Sequence, residues 1–241
     1  TETAVTEAVR AANSQNTAVQ IIAGGTRGRI GRPRSEYECL DVSGVAGITR
    51  YEPGALTLEA KAGTPIAQIE AALDAKNQML AFEPMDHRAL MGTQGTPTIG
   101  GVVACNVSGP RRFISGACRD FLLGVRFVDG QGRVIKNGGR VMKNVTGLDL
   151  TKLVCGSFGT LGVLTQVALK VLPRPERSAT LKFEGVAEAE AVGIFCKAVS
   201  TPFEVNGAAW QNGAAMPRVE GLDAQVSHRL GALHHRLQDH N

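Results

Sequence analysis

Thr98-Ile99-Gly100-Gly101-Val102-Val103-Ala104-Cys105-Asn106-Val107-Ser108-Gly109 is the stretch on which the reading of this chain turns. Two adjacent glycines open a short apolar run, which predicts a buried helix around Val102 to Asn106, and Ser108-Gly109 closes it with a turn. Placed there, Gly100-Gly101 would turn exposed amides and the positive end of a helix dipole toward an anion. Upstream, the β-like run Ala18 to Ile22 leads into Ala23-Gly24-Gly25-Thr26-Arg27-Gly28. Successive small residues leave a concave row of backbone N–H groups uncovered, which suits phosphate oxygens. A glycine-rich surface turn is the alternative for this loop. Downstream, Gly156-Ser157-Phe158-Gly159-Thr160-Leu161-Gly162-Val163 repeats glycine every third residue just before a strand. Close packing against a flat ring, or against another backbone, would explain that spacing. Neither the G-x-G-x-x-G fingerprint nor a P-loop occurs, so a Rossmann or nucleoside-triphosphate reading lacks its main support.

Composition narrows the classes further. The 241 residues hold 29 glycines, against about 17 for ordinary usage of roughly 7%. They sit in short groups between apolar segments, where positive φ or close backbone approach is the usual need. With 43% hydrophobic and 20% charged residues, no apolar run of spanning length and no leader-like start, the chain is expected to be soluble and intracellular. Five cysteines, Cys39, Cys105, Cys118, Cys155 and Cys196, lack C-x-x-C pairing and read as buried free thiols, with no metal site expected. The net charge of +4 is modest, but Arg27, Arg29, Arg32 and Arg34 follow one glycine turn and Arg111-Arg112 another. An anionic small ligand fits these arginines better than nucleic acid, because aromatics are only 5% and no nucleic-acid motif is present. A solvated basic rim is the plainer alternative.

Periodicity supplies the remaining elements. Glu2 to Ala12 has helical spacing, Glu38 to Val42 is β-like, and Leu56, Leu58 and Ala60 alternate with Thr57, Glu59 and Lys61 as in a half-buried strand. Thr64-Pro65 is expected to cap and start a helix running to about Lys76. Leu122 to Val128 and Arg133 to Lys136 flank the turn Asp129-Gly130-Gln131-Gly132. Leu161 to Leu172 reads as a strand with Val163, Thr165, Val167, Leu169 and Val171 on one face, closed by Pro173-Arg174-Pro175. Beyond Arg177 a β-α-β-α pattern follows: strands Thr180 to Phe183 and Gly207 to Trp210, helices Glu188 to Val199 and Asp223 to Gln238.

The order of these parts, Gly24-Gly25-Thr26, then Thr98 to Gly101 with Asn106 and Ser108-Gly109, then Arg119-Asp120, Val128-Asp129-Gly130, Gly147 to Leu150 and Gly156 to Val163, resembles the FAD-binding domain of the vanillyl-alcohol-oxidase and p-cresol-methylhydroxylase (PCMH) type. The likeness spans about Val19 to Pro173. Within that family, Tyr51 to Pro53, Ala62 to Pro65, Gln78 to Pro84, Ser108 to Arg112, Val141 to Val145 and Gly207 to Trp210 look most like the FAD-binding subunits of bacterial glycolate oxidases. The resemblance implies an α+β fold: a bipartite FAD-binding domain of two α+β subdomains over residues 1–175, then an incomplete α/β cap or substrate domain over 176–241. It also implies an FAD-dependent oxidoreductase of a small 2-hydroxy acid such as glycolate. The partners implied are a second flavin subunit and an iron–sulfur subunit of one complex. The expected location is cytoplasmic, with peripheral attachment to the inner membrane as a further option.

Carried over by position, Ala23, Gly24, Gly25, Thr26 and Arg27 should hold the pyrophosphate, while Pro84, Thr98, Gly100, Gly101, Ser108, Gly109, Gly162 and Val163 line the rest of the cofactor. Some relatives bond a histidine of the first loop covalently to the flavin; Arg27 stands there here, so FAD is expected to be held non-covalently. No full set of substrate cation, base and flavin-facing groups is evident. His87 and Arg88 are the candidates, and a polar loop beside a cofactor is the alternative. The tail histidines His228, His234, His235 and His240 lack the spacing and acidic partner of a metal site. Two other functions stay open: a self-sufficient flavin oxidase or dehydrogenase for another small alcohol or acid, and a non-catalytic structural subunit that has lost its flavin.

Overall fold

The computed structural model describes residues 1–31, 37–139 and 147–238, so Arg32, Arg34, His240 and the Val141 to Val145 stretch lie outside the described residues. The chain divides into two compact units, Thr1–Ser108 with Ala117–Leu172, and Gly109–Gly116 with Pro173–Asn241. No described helix is long and apolar enough to cross a membrane.

The first unit begins with α1 (Glu2–Ser14), capped by the Thr1 hydroxyl, which accepts from the Ala4 amide at 3.3 Å. Its buried face, Val5, Val9 and Ala12, follows the helical repeat. Val5 and Val9 meet Val42, Val45, Val128 and Val163 in a small core. Beside that core β1 (Val19–Ile22) pairs in parallel with β2 (Glu38–Asp41). The chain then forms β3 (Ile48–Glu52), β4 (Thr57–Lys61), α2 (Ile66–Asp74), β5 (Gln78–Met79), α3 (Arg88–Met91) and α4 (Ile99–Ala104). It leaves this unit for one turn, α5 (Arg112–Ser115), and resumes with α6 (Cys118–Phe121), β6 (Leu122–Val128), β7 (Val134–Gly138), α7 (Leu150–Val154) and β8 (Val163–Lys170).

Strands β3-β4-β8-β6-β7 make one antiparallel sheet. The alternation in β4 holds, with Leu58 and Ala60 fully buried. Strand β8 differs from expectation. It lies between β4 and β6, and Val163, Leu164, Thr165, Val167, Ala168 and Leu169 are all buried, so both of its faces are covered. The main core gathers Leu58, Ile69, Leu73, Phe82, Ile99, Val102, Leu122 and Leu169. Helix α2 buries Ile66, Ile69 and Leu73 on one stripe. Thr64 is not its cap: the Thr64 hydroxyl donates to the Lys61 carbonyl at 2.6 Å and accepts from the Gly47 amide at 2.9 Å. Pro65 holds the N-cap position and makes no side-chain bond.

The first unit closes with Leu172 of the short β9 (Leu172–Pro173), which pairs with β5. The second unit contains α5, β10 (Arg177–Thr180), β11 (Phe183–Glu184), α8 (Glu188–Val199), β12 (Val205–Gln211), β13 (Ala214–Gly221) and α9 (Asp223–Gln238). Both long helices begin where periodicity placed them, and α8 also ends there. The expected strand Thr180 to Phe183 is instead two strands, because both pair with β13, an eight-residue strand the sequence reading missed. Pro217 explains the break. Its carbonyl accepts from Leu181 N at 3.0 Å, so its ring nitrogen faces the same neighbour and has no proton to donate there. Strand β12 pairs with the other side of β13. Ala198, Val205, Val219, Leu233 and Leu237 form this unit's core.

Arg111, expected among the ligand-facing arginines, is corrected by the structure. Its Nε and Nη2 donate to the two Glu220 carboxylate oxygens at 2.9 Å each, with side-chain exposures of 10% and 8%. Asn206 Nδ2 also donates to Glu220, and Arg218 Nε donates to Asn206 Oδ1 at 3.1 Å. A buried carboxylate needs this many donors to offset lost hydration.

Candidate cofactor site

Strand β1 delivers the chain into the loop from Ala23 to Gly28. Among the described residues no acceptor takes the backbone amides of Gly24, Gly25, Thr26, Arg27 or Gly28. The loop is anchored from outside. The Thr93 hydroxyl donates to the Thr26 carbonyl at 2.8 Å, and Arg29 Nη1 donates to the Met91 carbonyl at 2.9 Å. Gly24 lies so close to the following segment that a Cβ there would stand 1.6 Å from the Thr96 carbonyl oxygen. Gly25 has φ +67° and open space where its Cβ would be. An open row of uncommitted donors is what a pyrophosphate requires, so this loop fits the group.

Helix α4 meets the loop differently from the sequence expectation. Thr98 is its cap, accepting from Gly101 N at 3.4 Å, while Ile99 N donates to the Thr64 carbonyl at 3.0 Å and Gly100 N to the Ala62 carbonyl at 2.7 Å. The opening amides are therefore committed to protein and are not exposed donors. Gly100 is needed for approach, since its Cβ would sit 2.7 Å from both the Cβ and the carbonyl oxygen of Ala62. At Gly101 a Cβ would meet only Arg27 Nη1 at 3.2 Å and Thr98 Oγ1 at 3.4 Å. At the other end of α4, Asn106 takes φ +49°, and its Oδ1 accepts from Arg119 N at 3.0 Å and the Cys155 thiol at 3.7 Å. Ser108 Oγ accepts from Cys118 N at 2.9 Å. Gly109 falls in the segment counted with the second unit, where its carbonyl accepts from Arg112 N.

Arg27 and His87 are brought together, with Arg27 Nε donating to His87 Nδ1 at 3.3 Å. Burial pushes the Arg27 guanidinium below its usual value, and the nearby thiol of Cys105 and carboxylate of Asp86 act the other way. No carboxylate lies within ion-pair distance of Arg27 among the described residues. Arg88, offered by the sequence as a carboxylate binder, is already engaged. Its Nε and Nη2 grip Asp86 at 2.7–3.1 Å, and the bond to Arg88 holds Asp86 below the usual carboxylate range. Pro84 is half-buried one residue after Glu83, which has φ +52°.

The Gly156 to Val163 loop packs largely on protein. Gly156 N and Phe158 N donate to the Val103 and Ala104 carbonyls of α4 at 3.1 and 2.8 Å. A Cβ on Gly159 would meet Ile21 Cδ1 at 2.9 Å, and one on Gly162 the Val128 carbonyl oxygen at 2.6 Å. Val163 is buried in the small core. Of the three glycines only Gly162 approaches another backbone; Gly159 faces a side chain, and so does Gly156, whose Cβ would stand 3.3 Å from the Asn106 Cβ. Ser157, which the sequence reading passed over, has a buried Oγ with no hydrogen-bond partner among the described residues. Nothing in its type or spacing flagged it, because only the fold reveals an orphaned hydroxyl.

Cys39 and Cys196 are exposed, against the expectation that all five thiols are buried. Cys118 is fully buried, and its hydrogen bond to Cys155, together with burial, pushes its thiol up. Burial likewise raises the Cys105 thiol. Among the described residues, no three of His, Cys, Asp and Glu gather as metal ligands. His228 borders a shallow depression with Glu204 and Arg229, and His234 stacks on Phe183.

Comparison with known proteins places this geometry. Residues 1–138 match the profile of the family described as FAD binding domain. Glycolate oxidase subunit GlcE of Escherichia coli (strain K12) is 40% identical over 223 residues, 92% of this chain and 61% of that protein. Glycolate oxidase subunit GlcD of Bacillus subtilis (strain 168) is 43% identical over 84 residues, 35% of this chain and 18% of that protein. A solved alkyldihydroxyacetonephosphate synthase superposes with a TM-score of 0.75 at 17% identity, covering 98% of this chain and 48% of that one, a likeness of fold. This chain thus spans 61% of the length of GlcE. Since the matched profile covers more than half of the chain and includes the open amide row, the protein belongs to the FAD binding domain family, and FAD is its cofactor.

Proposed function

We propose that this chain is the FAD-bearing part of a heteromeric 2-hydroxy-acid dehydrogenase of the glycolate oxidase type. Residues 1–175 would form the cofactor domain and 176–241 part of a cap over the substrate. The observation that carries the cofactor assignment is the amide row from Gly24 to Gly28, uncommitted among the described residues and ending beside a half-buried arginine with no carboxylate partner there. Support for the substrate class comes from the 40% identity with GlcE over 92% of the chain.

In this reading Ala23 to Arg27 bind the pyrophosphate through backbone N–H and the guanidinium. Thr98 keeps α4 wound against them, Gly100 lets α4 approach Ala62, and Gly101 leaves room for the Arg27 tip. Pro84, Ser108 and Gly162 line the remaining cofactor surface of the first unit, and Val163 supports it from the small core. Bound FAD supplies the two-electron acceptor for oxidation of the hydroxyl-bearing carbon. Attachment is non-covalent at the first loop, because a guanidinium stands at Arg27. Electrons would leave through a second flavin subunit and an iron–sulfur subunit, in a complex that is cytoplasmic or peripheral on the inner membrane.

The test is an absorption spectrum of the purified chain followed by acid precipitation. A flavin spectrum with FAD released into the supernatant is expected. A colourless protein that cannot be reconstituted with FAD would overturn the assignment and favour a structural subunit. Glycolate-dependent dye reduction should then require added partner subunits; turnover by the chain alone would refute the division of labour.

A further inference from the structure

We infer that Cys118 and Cys155 are a dithiol that hydrogen peroxide closes to a disulfide, Cys155 attacking the peroxide and Cys118 resolving the product. The cofactor reading uses neither residue, and the inference does not rest on it. Cys118 opens α6, and Cys155 caps the end of α7. Both lie in the main core, Cys118 fully buried and Cys155 4% exposed, and a hydrogen bond joins their thiols. Anchored helix ends hold the two sulfurs there. Asn106 Oδ1 accepts from the Cys155 thiol at 3.7 Å and from the Arg119 amide, beside Cys118, at 3.0 Å, so one oxygen spans both helices. Ser108 Oγ accepts from Cys118 N at 2.9 Å. Lys152 Nζ of α7 donates to the Arg119 and Leu122 carbonyls at 2.5 and 2.7 Å, and Gly156 N donates to the Val103 carbonyl at 3.1 Å. A disulfide needs its Cβ atoms about 3.5–4.5 Å apart, an arrangement that sulfurs in hydrogen-bond contact already approach.

The surroundings divide the roles. The bond from Cys118 holds the Cys155 thiol below its usual range, and the Arg119 and Lys152 cations act the same way, against burial and the Asp120 carboxylate. A thiolate is the attacking form, so Cys155 goes first. Its sulfur bonds to one peroxide oxygen, the O–O bond breaks and hydroxide leaves; the sulfur gives up two electrons and the peroxide takes them. The Cys118 sulfur then bonds to Cys155, the S–O bond breaks, and the departing hydroxyl carries off the Cys118 proton as water. Hydrogen peroxide, the two-electron product of dioxygen at reduced flavins, is small enough to reach Cys155 by local opening. Closure removes the thiol proton that Asn106 Oδ1 accepts and ties α6 to α7 covalently. Cys105, at the end of α4, is the competing thiol: it feels the charge of Cys155, and burial raises it.

The experiment uses the full chain carrying C39S and C196S, which removes the two exposed thiols and leaves Cys105, Cys118 and Cys155. The folded, reduced protein receives stoichiometric hydrogen peroxide, catalase ends the reaction, and the thiols are counted after unfolding in guanidinium. Three thiols before treatment and one after are expected, with a mass loss of two hydrogens and a tryptic peptide joining Cys118 to Cys155 that dithiothreitol separates. Adding C118S should halt the reaction at a sulfenic acid on Cys155, a gain of one oxygen that dimedone traps. Adding C155S should leave Cys118 unreacted at the same dose. Because the parent chain keeps all three inner cysteines, its thiol count and linked peptide decide the matter even where a serine variant fails to fold. The same dose given to the unfolded chain should scatter the link over the three pairings; an equal preference for Cys118–Cys155 there would overturn the assignment to the fold. Three thiols left unchanged, a gain of oxygen in the parent with no link, or a link through Cys105 would each overturn the inference. These readouts need no flavin, so a chain that rejects FAD yet forms the link refutes the cofactor assignment and leaves the dithiol intact.

Discussion

Replacing Gly100 and Gly101 by alanine, one at a time, separates packing from ligand contact at adjacent positions. At Gly100 the added methyl would stand 2.7 Å from the Ala62 Cβ and carbonyl oxygen, well inside the ordinary contact range of 3.4–4 Å. One of those atoms is backbone, and the 2.7 Å bond from Gly100 N to the Ala62 carbonyl ties the two segments. Overpacking costs about 1–3 kcal/mol, a clash this short with backbone falls in the upper part of that range at about 2–3, and the helix preference of alanine over glycine offsets about 1. The net loss is about 1–2 kcal/mol, or roughly 2–8 °C in Tm for a chain of this size. At Gly101 the nearest atoms are the ends of the Arg27 and Thr98 side chains at 3.2 and 3.4 Å, which can give. G101A should therefore melt within about 0.5 kcal/mol of wild type, yet bind FAD more weakly because Arg27 is displaced. Differential scanning fluorimetry of the apo chain and FAD titration well below Tm read the two effects separately. Equal losses of Tm in both variants, or none in G100A, would refute the assignment of Gly100 to packing and Gly101 to the ligand side.

Other outcomes follow from the same contacts. R111M leaves Glu220 buried without its forked partner and should destabilise the second unit by about 3–5 kcal/mol, while E220Q combined with R111M should recover part of the loss in urea unfolding. T98V removes the α4 cap and should cost about 1 kcal/mol by the same assay. Glu2 is held below the usual carboxylate range chiefly by its bond to Arg126 at 2.6 Å, so its contribution is present above about pH 4.3 and fades as pH falls through the lowered folded value. E2Q should accordingly trail wild type by under 1 kcal/mol from pH 6 to 8, with the gap closing below about pH 4 in chemical denaturation. A gap that widened in acid would show that the Glu2 carboxylate is not the stabilising form.

Much of the architecture was legible because it rests on local signals. Helices α8 and α9 have clear periodicity, and the hairpin turn is written in Asp129, whose Oδ1 accepts from Gln131 N and Arg133 N at 2.9 Å. Strand β13 escaped because Ala214-Ala215-Met216-Pro217-Arg218-Val219-Glu220-Gly221 contains a proline and two charges. Its burial comes from strands on both sides, and Glu220 is tolerated only because Arg111, far off in sequence, reaches it. Strand β3 escaped because Ile48-Thr49-Arg50-Tyr51-Glu52 is an edge strand with no fully buried residue and no two-residue alternation. At the site, the glycine groups were visible, but their division of labour was not. Identical residue types serve backbone approach at Gly24, Gly100 and Gly162 and leave open space at Gly25. Which role each plays depends on residues such as Thr96, Ala62 and Val128, which no local pattern couples to them.

The excursion Gly109–Gly116 puts a clock on the birth of this protein. Arg111 leaves the ribosome 109 residues ahead of Glu220, roughly 5–20 s at ordinary elongation rates. Throughout that interval the residues flanking it, up to Ser108 and from Ala117, already belong to the other unit. The first unit cannot finish early either, because β8, the strand between β4 and β6, is among its last pieces to emerge. A chain cut at Pro173 would thus be released with its sheet closed and its arginine permanently waiting, which makes that cut a poor way to obtain the flavin-binding half alone.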